Sequence, residues 1–275
     1  MSTAADCQED RFTTEMFFNH YWRKKPLFVK GGMSEFLGRL WSDADFDAAL
    51  AQARAQGGGA IKERPGEVVF IEEVSRFDAD LIERAAAFSR LFGSPQAWFD
   101  SVQTYSSDGI GAHFDHSDNF VLQQYGVKEW SLASPHHIDP ATIALRMMNT
   151  PGVGAHPMPD RDAIDFVVEP GDMLYIPLNW IHRGTSRGES LSLSLVCPAL
   201  SLYSAVLPLL MQSARSQALG HQPIPAFHAG LSPEQRAEAE SALQRATETL
   251  LSHLTSEPMA ASIHKLQVER FFART

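Results

Sequence analysis

Cysteine is nearly absent: Cys7 and Cys197 are the only two in 275 residues. One lies in a polar N-terminal stretch and the other ends an apolar run. That placement excludes a disulfide-stapled scaffold and fits a reducing compartment. Long apolar runs are missing too. No stretch approaches the ~20 apolar residues of a membrane span, and residues 1–10 are polar and acidic, with no signal-peptide core. Cations are outnumbered, with 23 Lys and Arg against 33 Asp and Glu, for a net charge of −10. An acidic chain holds a phosphate backbone poorly, which argues against direct nucleic-acid binding. It attracts a basic peptide or protein instead, although acidity also serves solubility alone. There is no internal repeat and no low-complexity tract. The expectation is a soluble, cytoplasmic, globular protein, not bound to a membrane, with 44% hydrophobic residues to fill a large core.

Three helices and two strands are expected before residue 96. The pattern predicts a helix over 13–22, capped by Thr13 or Thr14, with Phe17, Phe18, Tyr21 and Trp22 as a packed aromatic stripe. Pro26 ends it, and Leu27-Phe28-Val29 reads as a strand closed by Gly31-Gly32. A second helix over 43–55 stops at Gly57-Gly58-Gly59. Residues 68–71 read as a strand, and Asp78 caps a third helix that ends before Gly93.

From Trp98 the pattern changes to short strands: 97–105, 111–114, 119–125, 128–134, 165–168, 172–176, 181–186 and 189–197. That spacing predicts a barrel or double-sheet jelly roll. Residues 136–163 show no clear period and read as a long insert, of the kind that often carries binding work. After Pro198 the pattern turns helical. Residues 201–219 are apolar with Arg215 as their one charge, which marks an oligomerisation helix. Ser232-Pro233-Glu234-Gln235 is a capping box opening a helix to about His253, and a last helix is expected over 259–272. The expected division is a flanking region 1–96, a barrel 97–198 and a helical region 199–275.

The chemistry concentrates in two segments. Gly109-Ile110-Gly111-Ala112-His113-Phe114-Asp115 offers an imidazole and a carboxylate on one side of an extended chain. Gly171-Asp172-Met173-Leu174-Tyr175-Ile176-Pro177 leads to His182 at the start of the next strand. Two histidines and one carboxylate on one face of a metal suit Fe(II) and leave three positions open. The triplet alone is a cheap match, because His116-Ser117-Asp118 overlaps it, and a lone His182 equals a satisfied core histidine. The pairing of the two segments carries the metal expectation. Lys128, Trp130 and Leu132 share a strand face, so Lys128 either reaches solvent at the strand end or is buried against an anion. Ser190, Ser192 and Ser194 alternate with Leu191, Leu193 and Leu195. The serine face either offers hydroxyls to a ligand or is simply wet.

These motifs resemble the JmjC-type, cupin-fold 2-oxoglutarate oxygenases, and among them the ribosomal-protein hydroxylases. Tyr21-Trp22-Arg23-Lys24-Lys25-Pro26-Leu27 is similar to the family's opening, and the resemblance extends to Ala199. His113-Phe114-Asp115 matches its iron motif, favoured over His116 and Asp118 by the preceding Gly-x-Gly and the following acid. His182 matches its distal histidine, and Lys128 its binder of the far 2-oxoglutarate carboxylate. The resemblance implies a double-stranded β-helix core with N-terminal helices and a C-terminal helical bundle. It implies Fe(II) on His113, Asp115 and His182, and 2-oxoglutarate on Lys128 with Ser192 and Ser194 as further candidates. It also implies hydroxylation of a protein or peptide side chain, possible basic character in that substrate, and a homodimer built on the C-terminal helices. Two features depart from the ribosomal branch. The position of Ser192 is often asparagine there, and the chain ending at Thr275 leaves no room for that branch's winged-helix domain. A small-molecule or biosynthetic-peptide substrate, a metal-binding cupin without oxygenase activity, and a non-catalytic interaction module stay open as alternatives.

Overall fold

A computed structural model describes residues 3–94, 96–107, 109–199, 231–254 and 261. Its contacts separate two units, 1–199 and 200–275. The first holds two sheets. The large sheet runs in the order β1 (Gln8–Glu9), β2 (Leu27–Val29), β9 (Met173–Ile176), β6 (Ser117–Tyr125), β11 (Ser190–Pro198), β5 (Trp98–Thr104), β4 (Val68–Ile71), β3 (Ile61–Arg64). The small sheet is β10 (Ile181–Ser186), β7 (Lys128–Ala133), β8 (Ile164–Val168). Along β6 to β11 the chain passes back and forth between the sheets. That traffic makes the double-stranded β-helix, and every pairing except β1 with β2 is antiparallel.

Period-two alternation gives the large sheet two apolar faces. Phe120, Leu122, Tyr175, Leu191, Leu193 and Leu195 lie in one core with Phe17, Phe46 and Leu81. Those three come from α1 (Thr14–His20), α2 (Asp43–Ala55) and α3 (Ala79–Leu91). Val121, Leu174 and Ile176 point the other way and pack with Trp130, Leu132, Phe166 and Val168 of the small sheet. Two helices start at the expected caps: Thr13 Oγ1 accepts from Met16 N at 3.4 Å, and the Asp78 carboxylate accepts from Asp80 N and Leu81 N. The helix over 43–55 has a cap the sequence reading did not name, a reciprocal box of Ser42 and Asp45.

Four expectations need correction. Residues 111–114 form no strand; His113 makes only isolated bridges, to Ala155 and His182. Gly111, at φ +89°, breaks the extended run before it lengthens. Cys7, read as part of a polar N-terminal tail, is fully buried. β1 adds in parallel to β2, which carries Cys7 into the core between the sheets. The insert is not structureless either. It holds a 3-10 turn (Pro135–His137) and α4 (Pro140–Met147), capped by Asp139 with proline at the first turn. Finally, Ser190 is not on a wet face. It is fully buried, in a closed triangle of hydroxyls with Thr104 and Ser186, each 2.8 Å apart.

In the second unit, α5 (Pro233–Leu254) starts at the expected box. Ser232 Oγ accepts from Gln235 N at 3.2 Å, and Ser232 N donates to Gln235 Oε1 at 2.9 Å. The expected helix over 201–219 lies outside the described residues, as does that over 259–272 apart from Ala261. The bundle and dimer expectations rest on them. Among the described residues no helix is long and apolar enough to cross a membrane.

Candidate metal centre

The segment carrying His113 and Asp115 is strapped on both sides. His113 N donates to His182 O at 3.0 Å and His182 N to His113 O at 2.8 Å, which ties it to β10. On the other side Phe114 N donates to Gly154 O at 2.9 Å, and Asn179 N donates to Asp115 O at 3.0 Å. Phe114 is fully buried in a small core with Ala133, Ile138 and Ile181. Turning Phe114 one way turns His113 and Asp115 the other. Close approach to β10 also needs Gly109, where a Cβ would stand 1.9 Å from Gly184 O.

The three side chains meet. His113 Nε2 and His182 Nε2 are 3.1 Å apart, and Asp115 Oδ2 lies 3.6 Å from each. Neighbouring donors ~2.1 Å from an octahedral metal are ~3.0 Å apart, so the set fits a first-row divalent ion. Tautomers support the fit. Nδ1 of His113 donates to Gly111 O at 3.1 Å and Nδ1 of His182 to Trp180 O at 2.9 Å. Both Nε2 atoms then present bare lone pairs to one another, and a cation or a shared proton must lie between them. No other cluster of this kind occurs among the described residues.

Electrostatics point the same way. Burial, then the charge of His113, pushes His182 down to about 4, so it is neutral at pH 7. Burial alone would pull His113 down as well, but the Asp115 carboxylate outweighs it and holds the imidazole above its usual value. Burial favours a neutral Asp115, yet the hydrogen bond and charge of His113 and the hydrogen bond from Arg146 hold its carboxyl well below the usual range. Arg146, on α4, donates from Nη2 to Asp115 Oδ1 at 2.6 Å, and Asn119 Nδ2 donates to Oδ2 at 3.3 Å.

The overlapping triplet does something else. Asp118 is fully buried away from this cluster. It accepts from Tyr175 Oη at 2.7 Å, Arg23 Nε at 2.9 Å and Leu178 N at 3.2 Å. Arg23 also donates its backbone N–H to Tyr175 Oη at 2.9 Å. The aromatic-basic opening motif is thereby pinned to β6 and β9. His116 lines the cavity without joining the cluster.

The cluster opens into a cavity of about 610 Å³. Ser192 and Ser194 line it from β11; Ser190 does not. Lys128 reaches it from β7 with 3% exposure. Its ammonium stands 5.4 Å from the Trp130 ring centroid, and burial alone pushes it down to about 8. The solvent-reaching alternative for Lys128 is thereby excluded. No carboxylate compensates this buried cation among the described residues.

Sequence reading missed Arg146, Asn119 and Asp100. Arg146 was hidden because residues 136–163 lack a clear period, although Asp139-Pro140 is a cap signal. Asn119 and Asp100 carry no local signal. Asp100 lines the cavity from β5, accepts from Glu73 N at 2.7 Å, and is raised to about 7 by burial.

Residues 76–203 match the family model described as JmjC domain. Over that stretch, which is under half of the chain, the barrel is similar to a JmjC domain. It is similar to the probable ribosomal oxygenase of Haemophilus influenzae, 25% identical over 218 residues that cover 70% of this chain and 52% of that protein. Zebrafish (Danio rerio) ribosomal oxygenase 1 is 24% identical over 64% of this chain and 37% of its own length. The chain thus spans about half or less of these curated relatives. The fold is similar to Escherichia coli YcfD, a ribosomal oxygenase whose structure is known with cobalt and 2-oxoglutarate. There the TM-score is 0.55 at 16% identity, over 92% of this chain and 70% of that one. A second YcfD structure, with cobalt and succinic acid, gives 0.54 at 17% identity, over 92% and 69%. At this identity the likeness is one of fold alone.

Proposed function

We propose that the JmjC-like barrel is an Fe(II)- and 2-oxoglutarate-dependent oxygenase that hydroxylates a side chain in a protein or peptide. His113, Asp115 and His182 hold the metal on one face. Lys128 pairs with the far carboxylate of 2-oxoglutarate, and Ser192 and Ser194 supply hydroxyls along the same wall. The observation that carries this reading is Lys128. A buried ammonium without an anion is costly, and a dianionic cosubstrate supplies the missing charge. A metal-binding cupin without an oxoacid has no use for that lysine.

When bound, Fe(II) and 2-oxoglutarate supply the activation of dioxygen, with succinate and carbon dioxide as co-products. The chain supplies the rest. Its two Nδ1–H···O=C bonds aim the imidazoles, and the depressed pKa of His182 keeps a lone pair free at neutral pH. Trp130, Val121 and Ile176 make part of the cavity wall apolar and help exclude water. The names of the relatives point to a ribosomal protein as substrate class, and the net charge of −10 suits a basic partner.

The test is incubation of Fe(II)-loaded protein with cellular peptides, ribosomal proteins included, followed by mass spectrometry. The expected result is a gain of one oxygen on a defined residue that requires 2-oxoglutarate. Oxygen gain without 2-oxoglutarate, or no gain on any peptide with the cosubstrate consumed, would move the substrate or the reaction elsewhere.

A further inference from the structure

Arg146 reaches the metal cluster from the insert, 31 residues after Asp115 in sequence. Its guanidinium is mostly enclosed, at 21% side-chain exposure. Nη2 donates to Asp115 Oδ1 at 2.6 Å and Nη1 donates to Val153 O at 3.0 Å, while Nε is buried without a partner. Room for the group is made at Gly154. That residue sits at φ +148°, and a Cβ there would stand 3.2 Å from Arg146 Cζ and 3.3 Å from Phe114 O. The backbone of Gly154 also binds Phe114 N, so the loop that cradles the guanidinium also holds the ligand segment.

We propose that Arg146 is a positioning residue that restricts Asp115 to one-oxygen coordination and so keeps a coordination position free for 2-oxoglutarate. The proposal rests on the cosubstrate reading above. A carboxylate can give a metal one oxygen or two. Two imidazoles and one carboxylate oxygen leave three of six positions open. Two-oxygen binding by Asp115 would leave two, too few for a chelating oxoacid together with dioxygen. The charge-assisted bond from Arg146 occupies Oδ1 and leaves Oδ2 facing the histidines. Asn119, at 3.3 Å from Oδ2, is a weaker and longer contact that a metal can replace.

The test uses the full chain loaded with Co(II) under anaerobic conditions, in the wild type, Arg146→Gln and Arg146→Lys. Three quantities are read: Co(II) affinity, the visible absorption of bound Co(II), and 2-oxoglutarate affinity by titration. The melting temperature of the metal-free protein is followed alongside. In Arg146→Gln, Co(II) affinity is expected to stay within about threefold. Its absorption should change before cosubstrate is added, and 2-oxoglutarate affinity should fall about tenfold or more, the scale of one charged hydrogen bond. Arg146→Lys restores the charge and should recover part of both. An Arg146→Gln protein with wild-type absorption and wild-type 2-oxoglutarate affinity overturns the proposal. So does a parallel fall of metal affinity, cosubstrate affinity and melting temperature in both variants, which marks a purely structural bond. If wild-type Co(II) protein binds no 2-oxoglutarate, the cosubstrate reading fails. The absorption change on Arg146→Gln then still shows whether Arg146 sets the carboxylate's mode.

Discussion

Tyr175 donates its hydroxyl to Asp118 at 2.7 Å, deep inside the large sheet and away from the metal cluster. This bond separates two acids that look interchangeable in sequence. Asp115 faces two imidazoles, whereas Asp118 neutralises Arg23 and anchors the N-terminal motif.

The two acids should therefore fail differently. Asp115→Ala, like His113→Ala and His182→Ala, is expected to abolish tight Fe(II) or Co(II) binding in a protein that still folds. Asp118→Ala leaves Arg23 without its buried partner. Breaking such a pair costs about 3–5 kcal/mol, discounted here because the Arg23 side chain is 43% exposed. It should lower the melting temperature while metal stoichiometry stays at one. His116→Ala should leave both nearly unchanged. Metal analysis beside thermal melts checks all five; metal lost with His116→Ala and kept with His113→Ala would put the ligands in the wrong register.

Lys128 sets function against stability. Its ammonium is held at about 8, below the ordinary 10.5, so the folded state disfavours the charge. That cost is fully present below pH 8 and fades as pH rises through 10.5. Lys128→Met should therefore stabilise the cosubstrate-free protein at neutral pH by up to roughly 3 kcal/mol. The same change should cut 2-oxoglutarate affinity sharply with metal content unchanged. Denaturant unfolding and anaerobic titration measure the two halves. A less stable variant with undiminished 2-oxoglutarate affinity would remove Lys128 from the site.

Asp100 gives a second pH dependence, of opposite sense. Burial raises it to about 7 from the ordinary 3.8. The folded state then holds a proton that the unfolded state has lost, so stability falls as pH rises from about 4 to about 7. Above pH 7 the cost is complete. Asp100→Asn should melt higher than the wild type at pH 8, with the difference vanishing near pH 4. Equal melting curves at every pH would show that Asp100 titrates normally.

Where hydrophobic period and cap residues coincide, the chain was legible. Helices at 43–55 and from Ser232, and the alternation of Leu191, Leu193 and Leu195, appear in the structure as read. The grouping of His113, Asp115 and His182 was legible for another reason. Phe114 packs inward between them, so period two survives even where only isolated bridges form. What escaped was set by tertiary contact alone. β3 is an edge strand of mixed charge, Ile61-Lys62-Glu63-Arg64, with no apolar alternation to reveal it. Cys7 reads as part of a polar tail because its polar neighbours outweigh it locally, and pairing of β1 with β2 carries it into the core. Arg146 meets Asp115 through a loop whose shape depends on Gly154, which no spacing rule anticipates.

The central claim is a 2-oxoglutarate site between Lys128 and the His113–Asp115–His182 cluster. Its most direct test is succinate formation by the Fe(II)-loaded protein, supplied with 2-oxoglutarate, dioxygen and a ribosomal-protein peptide pool, beside an Fe(II)-loaded Lys128→Met control. The expected result is succinate in step with oxygen incorporated into peptide, and a loss of both in the control at equal metal content. Succinate formed equally by the two proteins, or by neither while both hold one metal ion, would contradict it.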